Sequence, residues 1–133
     1  MEFSKKPGQY SPLVLAYIGD GVYETYVRTR LVSEHPDMPA HKLHKLATQH
    51  VKAHAQSNSI AFLESAFTEE EEAVYKRGRN AKSATVPKNA DLTEYRRATG
   101  FEALVGYLYL KGDQERLEIV MQQAYEHAAD EIN

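Results

Sequence analysis

The sequence predicts an all-α protein of about six helices in a single domain, and three observations point there. Apolar residues recur with the 3.6-residue period of an amphipathic helix through most of the chain. Helix-start residues precede several of these runs: Ser11 before Pro12, Thr68 three residues before Glu71, and Asp91 three residues before Glu94. Strand signals are poor, since two-residue alternation is scarce and the Asp20–Gly21 pair lies inside a helix-period stretch. At 133 residues the chain has room for one hydrophobic core, and neither a repeat nor a linker divides it.

Taken in order, residues 1–10 are polar and expected to form a flexible N-terminus, with no apolar segment that would make them a signal peptide. Ser11 as N-cap and Pro12 at the first helical position open a helix expected to run to about Leu31. A second starts near Pro39 and carries Leu43, Leu46, Ala47 and Val51 on one face. A short piece covers Ile60 to Phe67. The fourth opens at Thr68, where the acids Glu69 to Glu72 suit the positive end of the helix dipole, and ends near Gly78. A basic loop holding Pro87 follows to Ala90, and the fifth helix runs from Asp91 to about Gly112. The sixth begins around Asp113, with Leu117, Val120, Met121, Ala124, Ala128 and Ile132 as its apolar stripe.

Composition narrows the function. Without cysteine there are no disulfides and no cysteine-ligated zinc, which fits a cytoplasmic protein. No apolar run approaches the roughly 18 residues that cross a membrane. A net charge of −3 argues mildly against nucleic acid, but its distribution argues the other way. Residues 38–63 and 73–90 contain no acid and together hold half of the 16 Lys and Arg, so a basic face is available. The pairs His41 and His44, and His50 and His54, have spacings that could ligate zinc on a helix. They lack the glutamate of a zinc-protease motif and a third ligand, and surface or partly buried histidines are the better reading.

Two carboxylates stand out. The first helix carries a single charge between Pro12 and Tyr23, Asp20, on a stripe with Leu13, Tyr17 and Val27. The fifth carries a single charge between Phe101 and Leu110, Glu102, with Val105 and Tyr109 as its helical neighbours. An ionised carboxylate on an apolar face is costly unless its charge is compensated. Gly19, Gly21 and Gly106 would let the helices approach closely, although each glycine costs roughly 1 kcal/mol of helix propensity. If the helices cross there the acids converge, and a divalent cation of the Mg²⁺ or Mn²⁺ type would hold both. The alternative is a pair of core carboxylates, each matched to a buried Arg, Lys or Tyr.

The stretch Leu15-Ala-Tyr-Ile-Gly-Asp-Gly-Val-Tyr-Glu24 resembles the signature helix of the ribonuclease III catalytic domain, and Phe101-Glu-Ala-Leu-Val-Gly106 resembles its second acidic helix. Gly78-Arg-Asn-Ala-Lys-Ser83 and Thr85-Val-Pro-Lys88 resemble the loop of the family's short branch, Mini-III. That branch is a catalytic domain without an appended double-stranded-RNA-binding domain, and the likeness covers the whole chain. It implies a Mg²⁺-dependent endoribonuclease, with Mn²⁺ able to substitute. The expected enzyme cuts double-stranded RNA as a homodimer, leaves 5′-phosphate and 3′-hydroxyl ends, and matures the large-subunit (23S) ribosomal RNA precursor. Asp20 and Glu102 match two of the family's four acids, while Leu13, Ala16 and Thr99 stand where longer members carry acidic residues. The expected RNA contacts are Arg77, Arg79, Asn80, Lys82, Ser83 and Lys88 in and beside the loop, then Arg96 and Arg97, with Lys42, Lys45 and Lys52 on the second helix. Two rival readings are a non-catalytic helical RNA-binding or ribosome-associated domain and a helical nucleotide pyrophosphohydrolase. The second would need paired Glu-x-x-Glu motifs facing one another across helices, whereas the Glu69–Glu72 run opens a helix and reads as a solvated first turn.

Overall fold

The computed structural model describes residues 1–52, 58, 60–82, 86 and 88–132. Helix α1 spans Pro12–Glu34, α2 Ala40–Val51, α3 Glu69–Arg79, α4 Leu92–Lys111 and α5 Gln114–Ile132. Residues 60–63 are helical and pass into a 3-10 turn at Glu64–Ala66, so the short piece expected at Ile60 to Phe67 changes pitch halfway. Among the described residues there is no strand.

The helix ends follow from local chemistry. Ser11 Oγ accepts from the Val14 N–H at 3.2 Å, and Pro12 fills the first turn, where its missing N–H costs nothing. α1 continues to Glu34 because nothing before His35 breaks a helix. The stop comes at the His35–Pro36 step, since the residue ahead of a proline is driven off helical dihedrals, and His35 sits at φ −132°. At α3 the Thr68 hydroxyl accepts from the Glu71 N–H at 3.1 Å, and the Glu71 carboxylate accepts from the Thr68 N–H at 3.0 Å. Asp91 caps α4 through the Glu94 N–H at 3.0 Å. Gly112 closes α4 at φ 80°, a left-handed position that glycine takes without strain.

α4 is the buried centre of the molecule, with Phe101, Ala103, Leu104, Val105 and Leu108 almost wholly covered. Apolar residues on nearly all sides of the first helix predict that it is the central one, and α4 holds that place instead. α1 buries Leu15, Ala16, Gly19, Tyr23, Val27 and Leu31 against α4, but its opposite side leaves Val14, Tyr17 and Val32 exposed. Both sides of α1 are apolar, so the sequence does not distinguish them. The two helices cross where a Cβ on Gly19 would collide with the Glu102 carbonyl, and one on Gly106 with the Leu15 carbonyl. Gly21 takes no part: a Cβ there meets nothing within 4 Å.

Polar side chains fix the outer helices. Glu71 is buried and takes two hydrogen bonds from Arg116 of α5, at 2.6 and 2.8 Å. Burial opposes its charge, but Arg116 and the Thr68 N–H outweigh burial and hold the carboxyl below its usual range. α2 docks through His50, whose ring stacks on Tyr125 of α5 at 4.3 Å. The Arg30 guanidinium lies over the same tyrosine ring at 4.4 Å, and the Tyr125 hydroxyl donates to Glu34 at 2.9 Å. His50 Nδ1 is buried with no hydrogen-bond partner among the described residues. The N-terminus, expected to be flexible, forms a 3-10 turn at Pro7–Gln9, and Arg77 donates to the Gly8 and Tyr10 carbonyls at 3.2 Å each.

Candidate active site

Asp20 lies in the middle of α1, one residue after the glycine that meets the Glu102 carbonyl. The helix crossing therefore brings the two isolated acids together, and their carboxyl groups share a hydrogen bond. Their surroundings differ. Asp20 is exposed, so the apolar stripe that carries it is not a covered face there: Tyr17, one turn earlier on that stripe, is itself 82% exposed. Glu102 is half-buried, and its carboxyl is pushed up to about 9, first by burial, then by the hydrogen bond and charge of Asp20. In the absence of a cation the pair thus holds a proton at pH 7.

That geometry suits a hard divalent cation. Two carboxylates converge, one of them open to solvent, and their repulsion is relieved by positive charge between them. Among the described residues no group of three or more His, Cys, Asp or Glu could hold a metal. Remaining coordination positions would fall to water and to the phosphate of the nucleic acid. Of the histidines whose spacing could suit zinc, His41 and His44 are exposed and His50 stacks on Tyr125. His54 lies outside the described residues.

Asp20 borders a cleft of about 560 Å³ shared with Tyr17, Ile18, Gly21, Val22, Thr25 and Tyr109. In the sequence Tyr17, Gly21 and Tyr109 stand out only as helix-face and packing positions, and Ile18, Val22 and Thr25 do not stand out at all. The available signal was spacing, since Tyr17 and Gly21 flank Asp20 on one helix and Tyr109 follows Glu102 by two turns.

The residues expected to contact RNA are spread around the α3–α4 connection. Lys82 and Arg96 line a second cleft of about 300 Å³, and Lys88 is exposed. Arg97 is half-buried near Tyr75. Arg79 lies over the Tyr75 ring at 5.7 Å and donates to the Asn80 side chain at 3.3 Å; Asn80 in turn caps α3 through its backbone N–H. Arg77 departs most from expectation, because its guanidinium is taken up by the N-terminal turn. Ser83 lies outside the described residues.

Comparison with known proteins identifies the family. Residues 13–113 match the Ribonuclease III domain. A Mini-ribonuclease 3 from Clostridium tetani is 53% identical over 90% of this chain and 80% of its own length. One from Brevibacillus brevis is 48% identical over 93% of this chain and 92% of its own. A crystal structure of a Fusobacterium nucleatum protein superposes with a TM-score of 0.79 at 29% identity, covering 90% of this chain and 94% of that one. The chain belongs to the ribonuclease III domain family, in its Mini-ribonuclease 3 group, and is an endoribonuclease.

Proposed function

We propose that this endoribonuclease cleaves double-stranded RNA with Mg²⁺, or Mn²⁺ in its place, held by Asp20 and Glu102. The observation that carries the reading is the meeting of two isolated carboxyls at the α1–α4 crossing, where burial first, then the hydrogen bond and charge of Asp20, push the Glu102 carboxyl up to about 9. Such a pair is unfavourable by itself and favourable around a cation. When bound, the cation supplies Lewis acidity, lowering the pKa of water and stabilising charge on the phosphate and the departing 3′-oxygen. Glu102 yields its proton and offers a fixed oxygen from the buried helix. Asp20 offers the solvent-facing oxygen, which leaves the outer side open to a scissile phosphate. In-line hydrolysis there leaves 5′-phosphate and 3′-hydroxyl ends.

Duplex contact is assigned to Lys82, Lys88, Arg96 and Arg97, with Arg79 and Asn80 beside them, to Ser83 by its place in the sequence, and to Lys42 and Lys45 on α2. Arg77 acts with this group by fixing the N-terminal turn against α3. The exposed side of α1 supports a homodimer. Val14, Tyr17 and Val32 are 48%, 82% and 56% exposed, and Gly21 leaves room that its own chain does not fill. The resemblance to Mini-III implies a cytoplasmic role in maturing the large-subunit ribosomal RNA precursor.

The test is cleavage of a long RNA duplex by the purified protein, with Mg²⁺ and with EDTA. Asp20→Asn and Glu102→Gln are each expected to lower the rate by on the order of 10²-fold or more while keeping the helical spectrum. Cleavage that persists in both folded variants, or in EDTA, would overturn the assignment.

A further inference from the structure

The cleft beside the basic loop has the wrong chemistry for phosphate alone. Lys82 and Arg96 supply its cationic edge, but they line it together with Ala81, Val86, Leu92 and Tyr95, and more apolar than polar surface faces the space. Val86 and Leu92 are 41% and 46% exposed. A paired duplex offers this surface phosphates and 2′-hydroxyls, for which cations and donors suffice. Apolar walls gain nothing from either group. The part of an RNA that gains from them is a base out of its stack, and that base brings its own phosphate to the cationic rim. At about 300 Å³ the cleft falls within the range of small-ligand sites.

Its position ties it to the reaction. Thr99 also lines the cleft and precedes Glu102 by three residues on α4. At about 1.5 Å of rise per residue, the cleft extends from roughly 5 to 15 Å along the helix from Glu102. A base held there lies within a few nucleotides of the cut.

We propose that this cleft is a subsite for one unpaired, unstacked nucleotide of the RNA, so that a duplex with a single bulge at the matching offset is preferred to a fully paired one. The inference rests on the duplex-cleavage reading above. A paired base must be broken out of its stack before it can enter, whereas a bulged base needs no unpairing.

The experiment uses the Mg²⁺-loaded protein and a set of duplexes, each with one unpaired 2-aminopurine placed at successive distances from the cleavage point. At one offset kcat/KM is expected to rise about tenfold over the fully paired duplex, together with a change in 2-aminopurine emission. Leu92→Trp, which fills the cleft, and Leu92→Ser, which strips its wall, should abolish that excess and leave cleavage of the paired duplex within about twofold, as expected for substitutions at a half-exposed side chain. A flat profile, or a preference that survives both variants, would overturn the subsite. Absence of cleavage on every substrate, paired or bulged, would overturn the duplex reading beneath it.

Discussion

Glu102 has opposite consequences for folding and for chemistry. Its carboxyl holds a proton to about pH 9 in the folded chain without cation, against about 4.3 in an unfolded one. The folded state therefore binds the proton more tightly. Its contribution to stability is fully present below the unfolded value and is lost as pH rises toward 9. Glu102→Gln should accordingly stabilise the cation-free protein at pH 8, by about 1–2 kcal/mol as is common when an active-site strain is relieved. The gain should vanish at pH 4, and thermal unfolding in EDTA across that range checks it; equal stability of parent and variant at pH 8 would count against the shared proton. Asp20 and Glu102 were legible in the sequence because each is a lone charge in an apolar helix. Which of them is covered was not legible, since an apolar neighbour looks the same in a core and on an exposed face. The position of Arg77 was also hidden: its partners are carbonyls of Gly8 and Tyr10, 69 and 67 residues away.

Among the elements, the caps could be read directly because they are local. Ser11, Thr68 and Asp91 each reach a backbone N–H three residues on. The docking of α2 could not, because His50 and Tyr125 meet only in the folded chain. Burial lowers the affinity of His50 for a proton; Glu34 opposes that effect and Arg30 adds to it. Tyr125 and Glu126 face this corner from α5, and Tyr26 and His35 from α1. For a histidine held below its usual value, stability is fully present above about pH 6.5 and is lost as pH falls below it. His50→Phe keeps a ring against Tyr125 and removes the titration. Between pH 7 and 5 the variant should lose less stability than the parent, by up to about 1.4 kcal/mol for each unit of displacement. Parallel losses in urea unfolding at the two pH values would show that His50 does not titrate in this range.

For the molecule as a whole, periodicity carries the all-α fold class, and the described helices follow it to within a few residues at their ends. It did not separate the two apolar sides of α1, one sealed by α4 and one bare. No described helix is long and apolar enough to cross a membrane. At micromolar concentration the protein should sediment at twice the chain's 15.1 kDa, and Tyr17→Glu should return it to a single chain with its helical spectrum intact. Tyr17 is 82% exposed, so the substitution does not touch the core of one chain. A parent that sediments as one chain would refute the homodimer.

The crossing at Gly19 and Gly106 sets main chain against main chain beside both acids. Peptide geometry is common to every protein, whereas side-chain volumes change as lineages diverge. The spacing of the two carboxylates is thereby uncoupled from turnover in the hydrophobic interior. Leucines, valines and tyrosines of the core can be exchanged over generations without moving the reactive pair, as long as neither glycine acquires a side chain.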